Sequence, residues 1–114
     1  MKNLDSAINF CIKKVDKCIK DMNGLYPSGS SINNVYRPMT NDNGSWAQGF
    51  WTGMLWLSYE FTGNKKYSGL ALKHIGDFSI RIKKRLGVNH HDMGFLYCPS
   101  CVTAYRLFGD SKAK

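Results

Sequence analysis

Apolar positions recur at helical spacing over the first part of the chain. Between Asp5 and Met22 they fall three and four residues apart, which is the period of one face of an amphipathic helix. Asn23 and Gly24 follow, and a glycine there supplies the left-handed residue at which helices commonly end. The pattern predicts an N-terminal helix whose apolar face consists of Ile8, Cys11, Ile12, Val15, Ile19 and Met22.

Two further helices are predicted beyond a segment with few apolar residues. Residues 25–45 are rich in asparagine, serine, glycine and proline, so we expect a long irregular loop there. From Trp46 to about Thr62, with Ser45 as a candidate cap, apolar side chains cover every side of a helix, which is typical of burial on all sides. From Lys65 to Arg85 the spacing is amphipathic again, with an apolar face formed by Tyr67, Leu70, Ala71, His74, Ile75, Phe78 and Ile82.

One short motif occurs twice. The segment that begins Tyr59-Glu-Phe-Thr-Gly-Asn is matched, 46 residues later, by Tyr105-Arg-Leu-Phe-Gly-Asp. Each copy is a predicted helix end followed by a glycine turn, and the spacing is that of a helical-hairpin repeat. A last helix, with Pro99 in its first turn, is predicted to precede Gly109. The chain is therefore predicted to be all-α, with inner and outer helices alternating in an α/α arrangement.

Charge and cysteine content narrow the classes of partner. The formal net charge of +8 is compatible with a polyanion, but the lysines lie on predicted polar helix faces and helix ends, so we expect no nucleic-acid partner. We find no apolar run that predicts a signal peptide or a membrane span, and we expect a cytoplasmic protein. Its four cysteines, Cys11, Cys18, Cys98 and Cys101, are then expected to be reduced.

Candidate chemistry is concentrated in residues 89–101, which hold two histidines, one aspartate and two cysteines. His91 and Asp92 lie on a predicted loop between helices, a frequent setting for active-site side chains. The alternative is that Asp92 only caps the helix that follows. Cys98-Pro-Ser-Cys101 at a helix start also admits a redox role, or zinc binding together with His90 or His91.

Three stretches of the sequence resemble the unsaturated glucuronyl hydrolases, glycoside hydrolase family 88. They are Trp46-Ala-Gln-Gly-Phe-Trp-Thr-Gly-Met-Leu-Trp-Leu-Ser-Tyr-Glu-Phe-Thr-Gly63, His90-His-Asp-Met-Gly-Phe-Leu-Tyr-Cys-Pro-Ser100 and Tyr105-Arg-Leu-Phe-Gly-Asp110. The resemblance implies that residues 1–114 form about the first third of an (α/α)6 barrel. It also implies an enzyme that needs no cofactor and no metal ion.

The resemblance further implies an activity and roles for three residues. The family hydrates the C4=C5 vinyl ether of an unsaturated glucuronic acid at the non-reducing end of oligosaccharides made by polysaccharide lyases. Asp92 matches the first of two catalytic aspartates, which holds ring hydroxyls and acts on the second carboxyl group, the proton donor. His91 matches a substrate contact, with a loop-fixing backbone hydrogen bond as the alternative. Trp46 matches a residue of the sugar pocket, with plain core packing as the alternative.

The second catalytic aspartate has no match in residues 1–114, so we expect this chain by itself to be an inactive fragment. We also expect either self-association or a requirement for the missing C-terminal portion, since the helix that begins at Trp46 needs neighbours on every side. Three alternatives stay open: a fragment of an unsaturated rhamnogalacturonyl hydrolase, a protein that binds uronides without catalysis, and a gene remnant.

Overall fold

The computed structural model of the chain describes residues 2–41, 45–109 and 111–114. Helices account for most of them. The elements in chain order are α1 (Lys2–Met22), β1 (Tyr26–Pro27), β2 (Pro38–Met39), α2 (Ala47–Thr62), α3 (Lys65–Lys84), α4 (Met93–Tyr97), a π-helical turn (Cys98–Val102), α5 (Thr103–Phe108) and a short 3-10 turn (Ser111–Ala113). In the described parts of the chain, no helix combines the length and the apolar character needed to cross a membrane.

Helix α1 forms as the apolar spacing predicts. Val15 and Met22 are buried and Ile12 and Ile19 are partly buried, whereas Cys11, also predicted for this face, is exposed. Asn23 and Gly24 both have positive φ and end the helix. The N-terminal helix and its glycine stop are confirmed.

The predicted irregular loop between α1 and α2 is wrong in part, since it contains a small antiparallel hairpin. Tyr26 pairs with Met39 across strands β1 and β2. Tyr26 is only 2% exposed, and its ring packs at a tilt against His74, with 4.2 Å between ring centroids. Its hydroxyl donates to Asp77 at 3.0 Å, so this segment is tied to α3.

Helix α2 is buried on one side only, which corrects the expectation of burial all round. Trp51, Leu55 and Trp56 are at most 3% exposed and form the centre of the core. The opposite side includes Phe50 and Leu57, which are 43% and 66% exposed. The sequence of α2 is apolar all round, but the described elements cover only part of its circumference.

Helix α3 packs against α2 through a face that differs from the predicted one at its end. Ile82 is 54% exposed, and the buried residue of that last turn is Arg81. The Arg81 guanidinium donates to the Ser45 carbonyl and to Oε1 of Gln48, at 3.1 and 2.9 Å. A long basic side chain is therefore held inside by polar partners at the start of α2.

The repeated motif forms the same turn twice. Gly63 and Gly109 lie in the left-handed region, with φ of 67° and 64°. Each glycine amide donates to the carbonyl of the tyrosine four residues earlier, Tyr59 or Tyr105. The prediction of equivalent helix ends is confirmed, although Asp110 of the second copy lies outside the described residues.

A close approach of α2 to the α4 segment depends on two glycines. A Cβ at Gly49 would lie 2.2 Å from the Leu96 carbonyl oxygen, and one at Gly53 would lie 2.9 Å from Cβ of Pro99. Pro99 lies in the first turn of the π-helical segment that leads directly into α5, so the prediction of Pro99 in the first turn of the last helix is confirmed. The Trp56 indole donates to the Ser100 carbonyl at 3.0 Å and satisfies a backbone acceptor of this turn.

His74 is buried between α2 and α3. The Thr52 hydroxyl donates to the Gln48 carbonyl and lies 3.0 Å from Nδ1 of His74. Because a hydroxyl has one hydrogen, Nδ1 of His74 is the donor to Thr52. Burial, with a smaller contribution from the charge of Lys73, lowers the pKa of His74 to about 3, so the ring is neutral in the folded protein.

Gly49→Ala is expected to lower the free energy of unfolding by about 1 to 3 kcal/mol, because the new methyl group meets backbone atoms of Leu96 that cannot move independently. Gly69→Ala on α3 is the matched control, since a Cβ there has no atom within 4 Å. The control is expected to gain about 0.4 to 1 kcal/mol. Urea unfolding followed by circular dichroism gives both values, and equal effects of the two changes would contradict the close approach.

The buried neutral His74 predicts a pH dependence of stability. The pKa of His74 is about 3 in the folded protein, whereas the reference value, which applies to the unfolded chain, is 6.5. Between these two pH values the unfolded chain therefore binds more protons than the folded protein. Its contribution is complete above pH 6.5 and is lost as pH falls, at up to about 1.4 kcal/mol per pH unit. His74→Gln is expected to flatten the stability curve from pH 6.5 to 4 by about one proton. An unchanged slope in urea titrations would show that His74 titrates normally.

Candidate functional site

The loop that carries the candidate residues begins at a left-handed helix end. Arg85 ends α3 with φ of 54°, and Gly87 also has positive φ. Asp92 occupies the position before α4, and its carbonyl accepts from the amides of Phe95 and Leu96 at 3.0 and 3.4 Å. The backbone of α4 therefore starts from Asp92.

The Asp92 carboxylate does not cap α4. The residue has φ of −87° and ψ of 12°, and its side chain makes no capping hydrogen bond. About a quarter of the side chain is exposed, and Oδ1 lies 3.5 Å from Nε2 of His91. The simple capping alternative is therefore wrong for the side chain, whose Oδ1 faces the His91 ring.

The two adjacent histidines have different surroundings. The His91 side chain is 93% exposed. The loop-fixing hydrogen bond considered for His91 is made by His90, whose Nδ1 accepts from the Asp92 amide at 3.2 Å. His91 is thus an accessible imidazole beside the carboxylate, and its role as a substrate contact stays a prediction.

Trp46 lies immediately before α2 and is 43% exposed, so it is not part of the core that the described residues form. Its ring packs edge-on against Phe50 at 5.6 Å and lies 6.0 Å from Phe95, and Phe50 and Phe95 are stacked. Arg81 donates to the backbone carbonyl of Ser45, the residue before Trp46, and to the side chain of Gln48, two residues after it. A buried arginine therefore fixes the backbone from which the indole projects.

These contacts bring Trp46 to the helix that Asp92 begins. Phe95 touches Trp46, and the Phe95 amide is bonded to the Asp92 carbonyl. Neither Phe50 nor Phe95 was singled out from the sequence as a site residue. The available signal was their presence inside the two motifs that contain Trp46 and Asp92.

A large apolar groove lies beside this cluster, between α1 and α2. Its volume is about 1120 Å³, and its lining includes Phe10, Trp46, Phe50, Met54 and Phe61. His91 and Asp92 do not line it. The groove thus includes Trp46 but not the loop with the candidate chemistry.

The cysteine pair has no redox or metal-site character. All four cysteines are free, and burial raises the pKa of the Cys101 thiol, the opposite of what a reactive thiolate requires. Among the described residues, no three side chains of histidine, cysteine, aspartate or glutamate come together as metal ligands would. The redox and zinc alternatives therefore have no support from the geometry.

Two buried or half-buried acids on the helices have structural partners. Asp16 accepts from the Tyr67 hydroxyl and pairs with Lys66, in each case at 2.7 Å. Asp77 accepts from Tyr26. Asp16 thus joins α1 to α3, and Asp77 joins α3 to β1.

Comparison with known proteins finds similar sequences among bacterial hydrolases. No protein-family model matches the chain. The chain is 43% identical over 110 residues to the unsaturated chondroitin disaccharide hydrolase of Streptococcus agalactiae. The aligned region covers 96% of this chain and 27% of that protein. The chain is 35% identical over 96 residues to the unsaturated glucuronyl hydrolase of Bacillus sp. GL1, with 84% and 25% covered.

Solved structures of unsaturated glucuronyl hydrolase also match the fold of this chain. The crystal structure of unsaturated glucuronyl hydrolase from S. agalactiae matches with a TM-score of 0.89 at 42% identity, over 96% of this chain and 28% of that one. An aspartate-to-asparagine variant of that enzyme, in complex with dGlcA-GalNAc6S, matches with a TM-score of 0.90. These matches confirm the resemblance to the unsaturated glucuronyl hydrolases and the all-α fold of their α/α barrel. The chain spans about 27% of the length of the curated S. agalactiae relative.

Whether the Asp92 side chain caps α4 can be tested directly in this chain. Asp92→Ala is expected to change the free energy of unfolding by less than about 0.5 kcal/mol, because its side chain caps nothing. Asn64→Ala is the matched control, since the Asn64 side chain accepts from the Lys66 amide at 3.0 Å and caps α3. The control should cost about 1 kcal/mol. An equal loss for Asp92→Ala in the same unfolding assay would restore the capping role.

Proposed function

We propose that residues 1–114 are part of the barrel of an unsaturated glucuronyl hydrolase and contribute one of its two catalytic carboxyl groups. The observation that carries the proposal is the Asp92 carboxylate, which begins α4 without capping it and lies 3.5 Å from the exposed His91 ring. Relatives named for this activity share 33% to 43% identity with most of the chain. The proposed domain is a partial (α/α)6 glycosidase domain, and a cytoplasmic location stays a prediction.

The proposed reaction is the hydration of a vinyl ether. A carboxylic acid gives its proton to C4 of the unsaturated uronic acid. Water then adds to C5 as a hydroxyl group, and a carboxylate takes up the proton that the water loses. The resulting hemiketal opens by breaking the bond between C5 and the ring oxygen, which leaves a ketone at C5 and a hemiacetal at C1. That hemiacetal then breaks its glycosidic bond, so that C1 becomes an aldehyde and the rest of the oligosaccharide leaves as an alcohol. Two carboxyl groups close together suit this chemistry, because the charge of one keeps the other protonated near neutral pH.

In this scheme the three predicted residues have distinct tasks. Asp92 accepts hydrogen bonds from ring hydroxyls of the unsaturated sugar and sustains the protonated state of its partner carboxyl group. His91 contacts the substrate from the exposed edge of the same loop. Trp46 offers one face of its indole to the flat part of the sugar ring, and Phe50 and Phe95 hold that indole in place. The substrate class is an unsaturated uronic-acid oligosaccharide derived from a glycosaminoglycan.

The second carboxyl group is proposed to come from further helical hairpins of the same fold. The exposed side of α2 supports this, because Phe50, Met54, Leu57 and Phe61 are each at least 43% exposed and border the groove against α1. An apolar surface of this kind is rarely left open on a soluble monomer. The solved S. agalactiae relative contains the matching helices within a chain of which they are only 28%. When the further hairpins are not present, this chain is expected to self-associate through the exposed side of α2.

The test is reconstitution. The 114-residue chain is mixed with a polypeptide that carries the remaining hairpins of the S. agalactiae relative, and turnover of an unsaturated chondroitin disaccharide is followed by loss of its ultraviolet absorbance. The chain alone is expected to self-associate in light scattering and to be inactive. The mixture should form a discrete complex and be active, and Asp92→Asn should reduce its kcat at least 100-fold.

Two outcomes would contradict the proposal. One is a discrete complex with no turnover of any unsaturated uronide. The other is an Asp92→Asn complex that keeps more than about a tenth of the wild-type rate. Asn64→Ala serves as the matched variant, because it weakens a helix cap away from the loop and should leave kcat unchanged once the complex has formed.

A further inference from the structure

We propose that His90 is a positioning residue that keeps the Asp92 carboxylate out of the helix cap and available to substrate. The inference deepens the proposed function and rests on it for its catalytic meaning. Its structural part concerns only the loop and the start of α4. It is therefore testable in this chain without any activity.

The contact that carries the inference is local. Nδ1 of His90 accepts from the backbone amide of Asp92, two residues on, at 3.2 Å. This is the arrangement that an asparagine side chain makes in an Asx turn, with the ring nitrogen in place of the amide oxygen. A nitrogen that accepts carries no proton, so the neutral ring is protonated at Nε2. Nε2 is buried and has no hydrogen-bond partner among the described residues.

A comparison within the chain shows what the contact does. Asn64 precedes α3 with ψ of 116°, and in that extended conformation its side chain accepts from the Lys66 amide. Asp92 precedes α4 with ψ of 12°, and its side chain caps nothing. Aspartate is as good a cap as asparagine. The backbone conformation therefore separates the two cases, and His90 bonds to the amide of the residue whose conformation differs.

Capping and catalysis thus compete for one carboxylate. If the His90 contact is lost, Asp92 can turn to the extended conformation and its carboxylate can accept from the amide of Gly94, the second residue of α4. That change favours the helix and removes the carboxylate from the substrate. The histidine holds the residue in the conformation that leaves the helix end without its side-chain cap.

Three variants separate the two ring nitrogens. His90→Asn keeps an acceptor at the position of Nδ1, His90→Gln keeps a polar group near the position of Nε2, and His90→Ala keeps neither. Amide hydrogen exchange of the 114-residue chain, followed by NMR, is the readout. In His90→Ala and His90→Gln the Gly94 amide should become about fivefold more protected, the size a typical cap would give, and the Asp92 amide less protected. His90→Asn should match wild type at both amides.

A spectroscopic arm tests the tautomer independently. The nitrogen shifts of the His90 ring are expected to show an unprotonated Nδ1 and a protonated Nε2 at neutral pH. The opposite tautomer, or Gly94 protection that is the same in all four proteins, would overturn the inference. A variant that unfolds would be recognised by loss of protection throughout α3, and the remaining variants would still decide the question.

The reconstituted enzyme supplies the functional arm. His90→Ala and His90→Gln are expected to lower kcat about tenfold or more with a smaller effect on KM, and His90→Asn is expected to restore it. Equal kcat in all variants would overturn the positioning role. If the wild-type complex has no turnover, the proposed function fails by itself, and the exchange and tautomer measurements still decide whether His90 controls the cap.

Discussion

The close approach of α2 to α4 is the constraint on which the rest of the structure depends. It is possible because residue 49 has no side chain, and the Leu96 carbonyl occupies the space that a Cβ would need. With that distance fixed, the aromatic ring of Phe95 reaches the ring of Trp46. A substitution of one hydrogen by a methyl group at Gly49 would therefore act on the candidate site from inside the core, without touching any residue that meets solvent there.

The same interface requires an unusual backbone. The chain enters α4 at Met93 and continues through a π-helical turn that contains Pro99, opposite Gly53. The Trp56 indole donates to the Ser100 carbonyl and ties this turn to α2, and the Thr103 hydroxyl donates to the Cys98 carbonyl. The π-helical turn thus packs directly against the core residues of α2.

Sequence periodicity was sufficient for α1, α2 and α3, because each has enough turns for its apolar face to repeat. It missed the hairpin, since strands of two residues such as Tyr26–Pro27 have no period to detect. It misjudged the exposed side of α2, because a pattern reports how apolar a face is and not which neighbours cover it. It also could not distinguish His90 from His91, two identical side chains whose roles are set by the direction in which each ring points.

The two matching glycine turns bear on how the molecule assembles. Each stop is encoded within five residues, from Tyr59 to Gly63 and from Tyr105 to Gly109, and needs no distant partner to form. The Gly63 turn joins α2 directly to α3, and these two helices, which are neighbours in sequence, pack on each other. Contacts of this kind form early and at low entropic cost. A hairpin with its own stop signal can therefore emerge from the ribosome already paired, before any later hairpin has been synthesised.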